Sequence, residues 1–141
     1  GLAESTSVPV VLHLDHGASE DECRIAIEEG FTSVMCDGSR LPLDENIELT
    51  GKIAEMAHRA GVSCEGEIGF VGYQDGQTSI GTNPDEAARF AAETAIDAMA
   101  ISIGNLHLQT APEGRIDEAR LRAIQHATHG RAAGDEGNRH R

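Results

Sequence analysis

Basic residues are scarce in this sequence: 11 Lys and Arg stand against 24 Asp and Glu, for a net charge of −13 over 141 residues. A chain this acidic repels phosphate backbones at long range, which argues against nucleic acid as a partner. A small anionic sugar phosphate remains compatible with it, because a metal ion and backbone N–H groups can hold such a ligand locally. Long apolar runs are lacking as well. Nothing approaches the roughly 18 residues a membrane span needs, and no signal-peptide pattern opens the chain, so no membrane partner is expected. Cysteine is sparse. Cys23, Cys36 and Cys64 are odd in number and have no CxxC spacing, as expected of reduced, partly buried thiols in a cytoplasmic protein. No internal repeat or low-complexity linker breaks the chain. Its ordinary apolar content and high charge content are those of a globular domain with a modest core.

What the sequence does contain is alternation. Short apolar runs at Val8–Asp15, Thr32–Asp37, Val62–Glu67 and Asp97–Ile103 have the look of buried parallel strands. Helical patterns with their own punctuation lie between them. Ser19 with Glu22 forms a capping box, and the helix that follows runs to Gly30. A second helix extends roughly from Asp44 to Ala60, with Gly61 as its stop. A third begins with Asn83 as cap and Pro84 at the first helical position, followed by Asp85 and Glu86 at the positive end of the dipole. A fourth starts near Asp117. The order βαβαβαβα predicts a parallel sheet with helical crossovers. Pattern alone fits either half of an eight-stranded barrel or a small open sheet. A complete barrel takes roughly 250 residues, more than this chain has.

In such folds functional groups gather at the carboxyl ends of strands. Here those ends read His13-Leu14-Asp15-His16-Gly17, Asp37-Gly38-Ser39, Glu65-Gly66-Glu67-Ile68-Gly69 and Gly104-Asn105-Leu106-His107. Histidines and carboxylates converging on one rim make a divalent-metal site, with imidazole favouring zinc or a similar ion. Taken singly, each has a plainer role: a histidine at a strand end is more often a hydrogen-bonded structural residue, and Asp37 or Glu67 could simply cap the next helix. His13 alternates with Asp15, faces the barrel interior, and suits a polar core role better than ligation. Four polar strand ends out of four favour function.

Longer stretches carry a specific resemblance. The run Val8-Pro-Val-Val-Leu-His-Leu-Asp-His-Gly17 resembles class II fructose- and tagatose-bisphosphate aldolases. So do Gly30-Phe-Thr-Ser-Val-Met-Cys-Asp-Gly-Ser39, Leu41-Pro-Leu-Asp-Glu-Asn46, Glu65-Gly-Glu-Ile-Gly69, Thr82-Asn-Pro-Asp-Glu86 and Asp97-Ala-Met-Ala-Ile-Ser-Ile-Gly-Asn-Leu-His107, in the same order. The resemblance implies a partial TIM (β/α)8 barrel of about four central βα units with parallel strands, over residues 1–128. Residues 129–141 are expected to be a disordered tail outside the family pattern.

The resemblance also implies roles. Asp15 would be the catalytic acid/base that exchanges a proton with the oxygen at the cleaved bond. His16 and His107 would hold a catalytic zinc, with Glu67 and Asp37 at a second or alternate position for a divalent or monovalent cation. The implied reaction is lyase chemistry: reversible cleavage of a ketose 1,6-bisphosphate to dihydroxyacetone phosphate and glyceraldehyde 3-phosphate. The intact enzyme would be a cytoplasmic homo-oligomer of carbohydrate metabolism. The family's third zinc histidine lies in a His-Gly-Gly-Ser-Gly motif that has no counterpart here, and His126, His129 and His140 are not in its context. Leu108 stands where the family has a phosphate-contacting glycine. Tyr73-Gln74-Asp75 stands where many members carry an acid. The alternative is a catalytically inactive metal-binding or structural half-barrel.

Overall fold

In a computed structural model of the chain, the described residues are 5–71, 79–105 and 116–132. Four strands alternate with four helices: β1 (His13–Gly17), α1 (Glu20–Glu28), β2 (Ser33–Cys36), α2 (Leu43–Arg59), β3 (Ser63–Ile68), α3 (Pro84–Thr94), β4 (Ala98–Ile101) and α4 (Glu118–Ala132). The strands form one sheet in sequential order, β1-β2-β3-β4, and every neighbouring pair is parallel. The βα alternation and the parallel order are therefore as the sequence predicts. A domain boundary at 128 would fall inside α4, and residues 133–141 lie outside the described residues.

The helix punctuation works with one adjustment. Ser19 Oγ accepts from the Glu22 N–H at 3.2 Å, but Glu22 reaches back to the N–H of Ala18, at 2.8 Å, rather than to that of Ser19. Asn83 Oδ1 accepts from the N–H groups of Asp85 and Glu86, and Pro84 opens α3 where a missing N–H costs nothing. Gly30 and Gly61 take φ of 90° and 71°, the left-handed stops a side chain resists. Helix α2 has Pro42 rather than a side-chain cap before it. Its buried residues Asn46, Ile47, Thr50, Ile53, Ala54 and Ala57 make one stripe at helical spacing.

The first strand is shorter at its start than Val8–Asp15, and begins at His13. Val8, Val10, Val11 and Leu12 are half or more exposed. An apolar run cannot form a strand without a partner ladder, and the pairing of β1 with β2 starts at His13↔Ser33. The fourth strand likewise begins one residue later than predicted, because Asp97 is otherwise occupied. Its Oδ2 accepts from the Cys64 N–H at 2.8 Å and lies 2.9 Å from His58 Nε2. The Cys64 N–H and then His58 hold the Asp97 carboxyl below its ordinary pKa.

One face of the sheet packs on the helices. Val34, Cys36 and Cys64 meet Cys23, Ala26, Ile53 and Ala57 there, while Phe90, Ile68, Ile47, Ala87 and Ile124 make a second cluster under α3 and α4. The three cysteines are free and buried. Burial pushes the Cys23 thiol up to about 11 and that of Cys64 to about 12, so neither is a ready thiolate. The opposite face carries His13, Ser33 and Glu65: His13 Nδ1 lies 2.8 Å from Ser33 Oγ, and its Nε2 is 3.6 Å from Glu65 Oε2. This is the interior polar placement the alternation with Asp15 implies.

Gly66 is where strand and helix layers come closest. A Cβ there would stand 2.8 Å from Thr50 Cγ2 and 2.9 Å from two ring carbons of the fully buried Phe90. Gly66→Ala should therefore cost about 1–3 kcal/mol by overpacking. Urea unfolding checks this; a midpoint equal to wild type would show that the helix layer yields.

Candidate functional site

The carboxyl ends of β1, β2 and β3 bring together Asp15, His16, Asp37 and Glu67. A bulge makes this possible. The β1–β2 register shifts between Leu14 and Gly17, and His16 sits at φ 57°, a left-handed conformation that a residue with a side chain rarely adopts. The consequence is local: instead of alternating to the helix side, the His16 ring faces the ends of β2 and β3. Its Nδ1 lies 2.8 Å from Asp37 Oδ2 and 3.5 Å from Glu67 Oε2, and its Nε2 lies 3.8 Å from Asp15 Oδ1. Backbone strain of this kind collects where a site needs it.

Asp37 is held from both sides. Its Oδ1 accepts from Ser39 Oγ at 2.6 Å and from the Ser39 N–H at 3.2 Å, while Oδ2 faces His16. Partial burial pushes the Asp37 pKa up, but the bonds from Ser39 and His16 outweigh it and leave it below the ordinary value. For His16, burial pulls downward; the Asp37 hydrogen bond and the charges of Asp37, Glu67 and Asp15 more than reverse this, so the ring titrates above its usual value. Glu67 differs. It is buried at 3% exposure, and burial, then the neighbouring Asp37 charge, push its pKa up to about 7. Among the described residues, Glu67 Oε2 and Ser102 Oγ are the buried side-chain polar atoms that lack a hydrogen-bond partner.

One imidazole nitrogen and two carboxylate oxygens lie within 4.8 Å of one another in the His16, Asp37 and Glu67 group. A buried carboxylate oxygen without a donor is costly unless a cation or proton meets it. Nitrogen and oxygen donors in a partly open cluster suit zinc or a comparable divalent ion. The residues thus fit the metal that the sequence points to. Asp15 stands beside the cluster, exposed at 78% of its side chain. His107, Leu108 and the Tyr73-Gln74-Asp75 run lie outside the described residues.

Sequence reasoning assigned no role to three residues around the site. Ser39 is two positions after Asp37, the spacing of an Asx turn, and that signal was available. Asn46 is a polar residue in the buried stripe of α2, a mismatch that could have marked it. Thr82 joins two strand ends: its Oγ1 donates to the Ile68 carbonyl at 2.6 Å and accepts from the Ser102 N–H at 2.8 Å. No local pattern announces that role.

The Glu67 environment has a pH consequence. Its pKa is raised on folding, so the fold favours the protonated acid. That preference is fully present below about 4.5 and is lost as pH rises through about 7. In the absence of metal, the chain should therefore lose stability across that window, and Glu67→Gln should flatten the loss. Thermal midpoints of both proteins at pH 5 and pH 8 measure it; equal slopes would assign the loss to other groups.

The class of protein follows from this fold and rim together with its relatives. The class-II fructose-bisphosphate aldolase family matches residues 1–134. A fructose-bisphosphate aldolase of Geobacillus stearothermophilus is 40% identical over 134 residues, covering 91% of this chain and 47% of that protein. A 6-phospho-5-dehydro-2-deoxy-D-gluconate aldolase of Bacillus velezensis is 45% identical over 125 residues, covering 86% and 43%. Among solved structures, the YdjI aldolase from Escherichia coli K12 superposes with a TM-score of 0.77 at 32% identity, covering 89% of this chain and 44% of that one. The chain belongs to the class II fructose-bisphosphate aldolase family, whose members are lyases, and its four βα units are part of the family's barrel. It spans about half the length of the curated relatives it matches.

Proposed function

We propose that these four βα units supply the acid/base and part of the metal site of an aldolase that cleaves a phosphorylated ketose to dihydroxyacetone phosphate and an aldehyde. The observation that carries this reading is the buried, donor-less Glu67 Oε2 facing His16 and Asp37 beside the exposed Asp15. The two kinds of relative narrow the chemistry. In fructose 1,6-bisphosphate a ketone adjoins a phosphorylated CH2, and the same pair occurs in 6-phospho-5-dehydro-2-deoxy-D-gluconate. The shared half is dihydroxyacetone phosphate; the aldehyde half differs, and the fructose bisphosphate, which releases glyceraldehyde 3-phosphate, is the substrate proposed here.

His16, with His107 as the matching histidine, would hold a zinc ion, and Glu67 and Asp37 would offer a second or alternate cation position beside it. When bound, such an ion polarises the ketone carbonyl as a Lewis acid. Asp15 takes the proton of the hydroxyl on the carbon that becomes the aldehyde. The carbon–carbon bond beside it then breaks, and its electron pair stays on the carbon next to the ketone. In the synthetic direction Asp15 returns that proton. Asp37 fixes the His16 ring through Nδ1, the second contact that orients a ligand imidazole. Buried free thiols suit a reducing cytoplasm.

The test is a chimera in which this chain replaces the matching segment of the Geobacillus relative. Triose phosphate release from the fructose bisphosphate should fall to background with a chelator and return with Zn2+. Borohydride should not trap the enzyme on substrate, because no lysine Schiff base is involved. Turnover that persists after complete metal removal would overturn the reading.

A further inference from the structure

The two carboxylates of the cluster sit at the ends of different strands, Asp37 just after β2 and Glu67 in β3, and something must set the distance between those strand ends. We propose that Asn46 is the positioning residue that does so, and that metal affinity at His16, Asp37 and Glu67 depends on it. The inference rests on the reading of that cluster as a divalent-metal site.

Asn46 lies in the first turns of α2, at 3% exposure. Its Nδ2 donates to the backbone carbonyl of Glu67 at 2.8 Å. Its Oδ1 accepts from Thr50 Oγ1 at 3.0 Å. On its other side it packs against the residue that follows Asp37: a Cβ added to Gly38 would overlap the Asn46 side-chain amide. One buried amide therefore spans the end of β2, just after Asp37, and the end of β3 at Glu67. Thr50, one turn on, fixes the amide, and its own methyl lies against Gly66.

An apolar residue would fill this position in α2 as well as Ile47 or Ile53 fill theirs. The amide instead binds the Glu67 peptide directly, and that peptide carries the carboxylate whose Oε2 lacks a donor. Rotation of the 67–68 peptide would swing the carboxylate relative to His16 and Asp37. A contact of this kind acts through the ligands rather than on the ion, and removing one typically costs about 10–100-fold in metal affinity.

The experiment is a Co2+ titration of the whole chain, followed by visible absorption, with Zn2+ competition for affinity. Asn46→Leu keeps the volume and removes the amide. It should weaken Co2+ binding by about 10-fold or more and alter the d–d bands. Ile53→Val on the same helix, fully buried, serves as the control for simple destabilisation and should stay within about twofold of wild type, since an aliphatic side chain makes none of the hydrogen bonds that hold the Glu67 peptide. Folded Asn46→Leu with wild-type affinity and bands, or an equal loss in Ile53→Val, would overturn the proposal. If Asn46→Leu does not fold, Thr50→Val decides: it keeps the Asn46 contact to Glu67 but frees the amide to tilt. A clear loss of affinity supports the assignment, and an unchanged titration overturns it. Wild-type chain that binds neither ion sinks the metal-site reading itself and this inference with it, an outcome distinct from parity between variants.

Discussion

Purified as the 141-residue chain and supplied with Zn2+, this protein should release little or no triose phosphate from fructose 1,6-bisphosphate, while the chimera with the Geobacillus relative should turn over. The chain carries Asp15, the proposed acid/base, and a cluster of His16, Asp37 and Glu67, but spans about half the length of its relatives. A catalytic zinc usually takes three protein ligands and keeps one open position. The resemblance implies a third zinc histidine from a His-Gly-Gly-Ser-Gly motif, a sequence that does not occur in these 141 residues. The resemblance implies that the same motif contacts the substrate phosphate. Binding energy spent on a remote phosphate orients the reacting carbons, so its loss lowers the rate of chemistry as well as affinity. A half-built rim is also wet: Asp15 is exposed at 78%, and a proton transfer open to bulk water gains little from a fixed base. A coupled assay on chain and chimera at equal concentration measures the difference. Comparable rates would show that the described rim is sufficient by itself.

The parts of this structure legible in the sequence are those with a local cause. Four apolar runs separated by capped helices predicted the parallel order, because a short βα connection leaves few other topologies. Ser19, Asn83, Gly30 and Gly61 each mark a boundary through their own backbone preferences, and each does so in the fold. Asp37 and Glu67 were found because carboxylates at strand ends are conspicuous, and they meet His16 as the rim argument implies. What was not legible depends on neighbours distant in sequence. The run from Val8 to Leu12 is as strand-like as any other, and it becomes strand only with a ladder to pair with. The left-handed turn at His16 has only a weak residue signal, since glycine or asparagine would be the usual choice there. It is imposed by the register of β1 on β2. Alternation alone would send a residue next to Asp15 to the helix side. The bulge is what turns His16 and Asp15 toward the same rim.

In the chimera, Asp15→Asn should lower kcat by about 10²–10⁴-fold while leaving KM for the fructose bisphosphate little changed. The asparagine has the same shape and still accepts and donates hydrogen bonds, so substrate can be held as before. It cannot take up the hydroxyl proton, and without that transfer the carbon–carbon bond has no electron pair to push against. The size follows from what a positioned acid/base contributes to such a step. The substitution should be structurally mild, because the Asp15 side chain is exposed and its described partner is the Nε2 of His16 at 3.8 Å. Metal binding supplies the internal control. The proposed ligand cluster is His16, Asp37 and Glu67, and Zn2+ affinity of the Asn variant should stay near that of the parent. A loss of metal together with activity would place Asp15 among the ligands. Near-normal turnover with metal bound would remove the acid/base role from Asp15 and require another group on the rim to carry the proton.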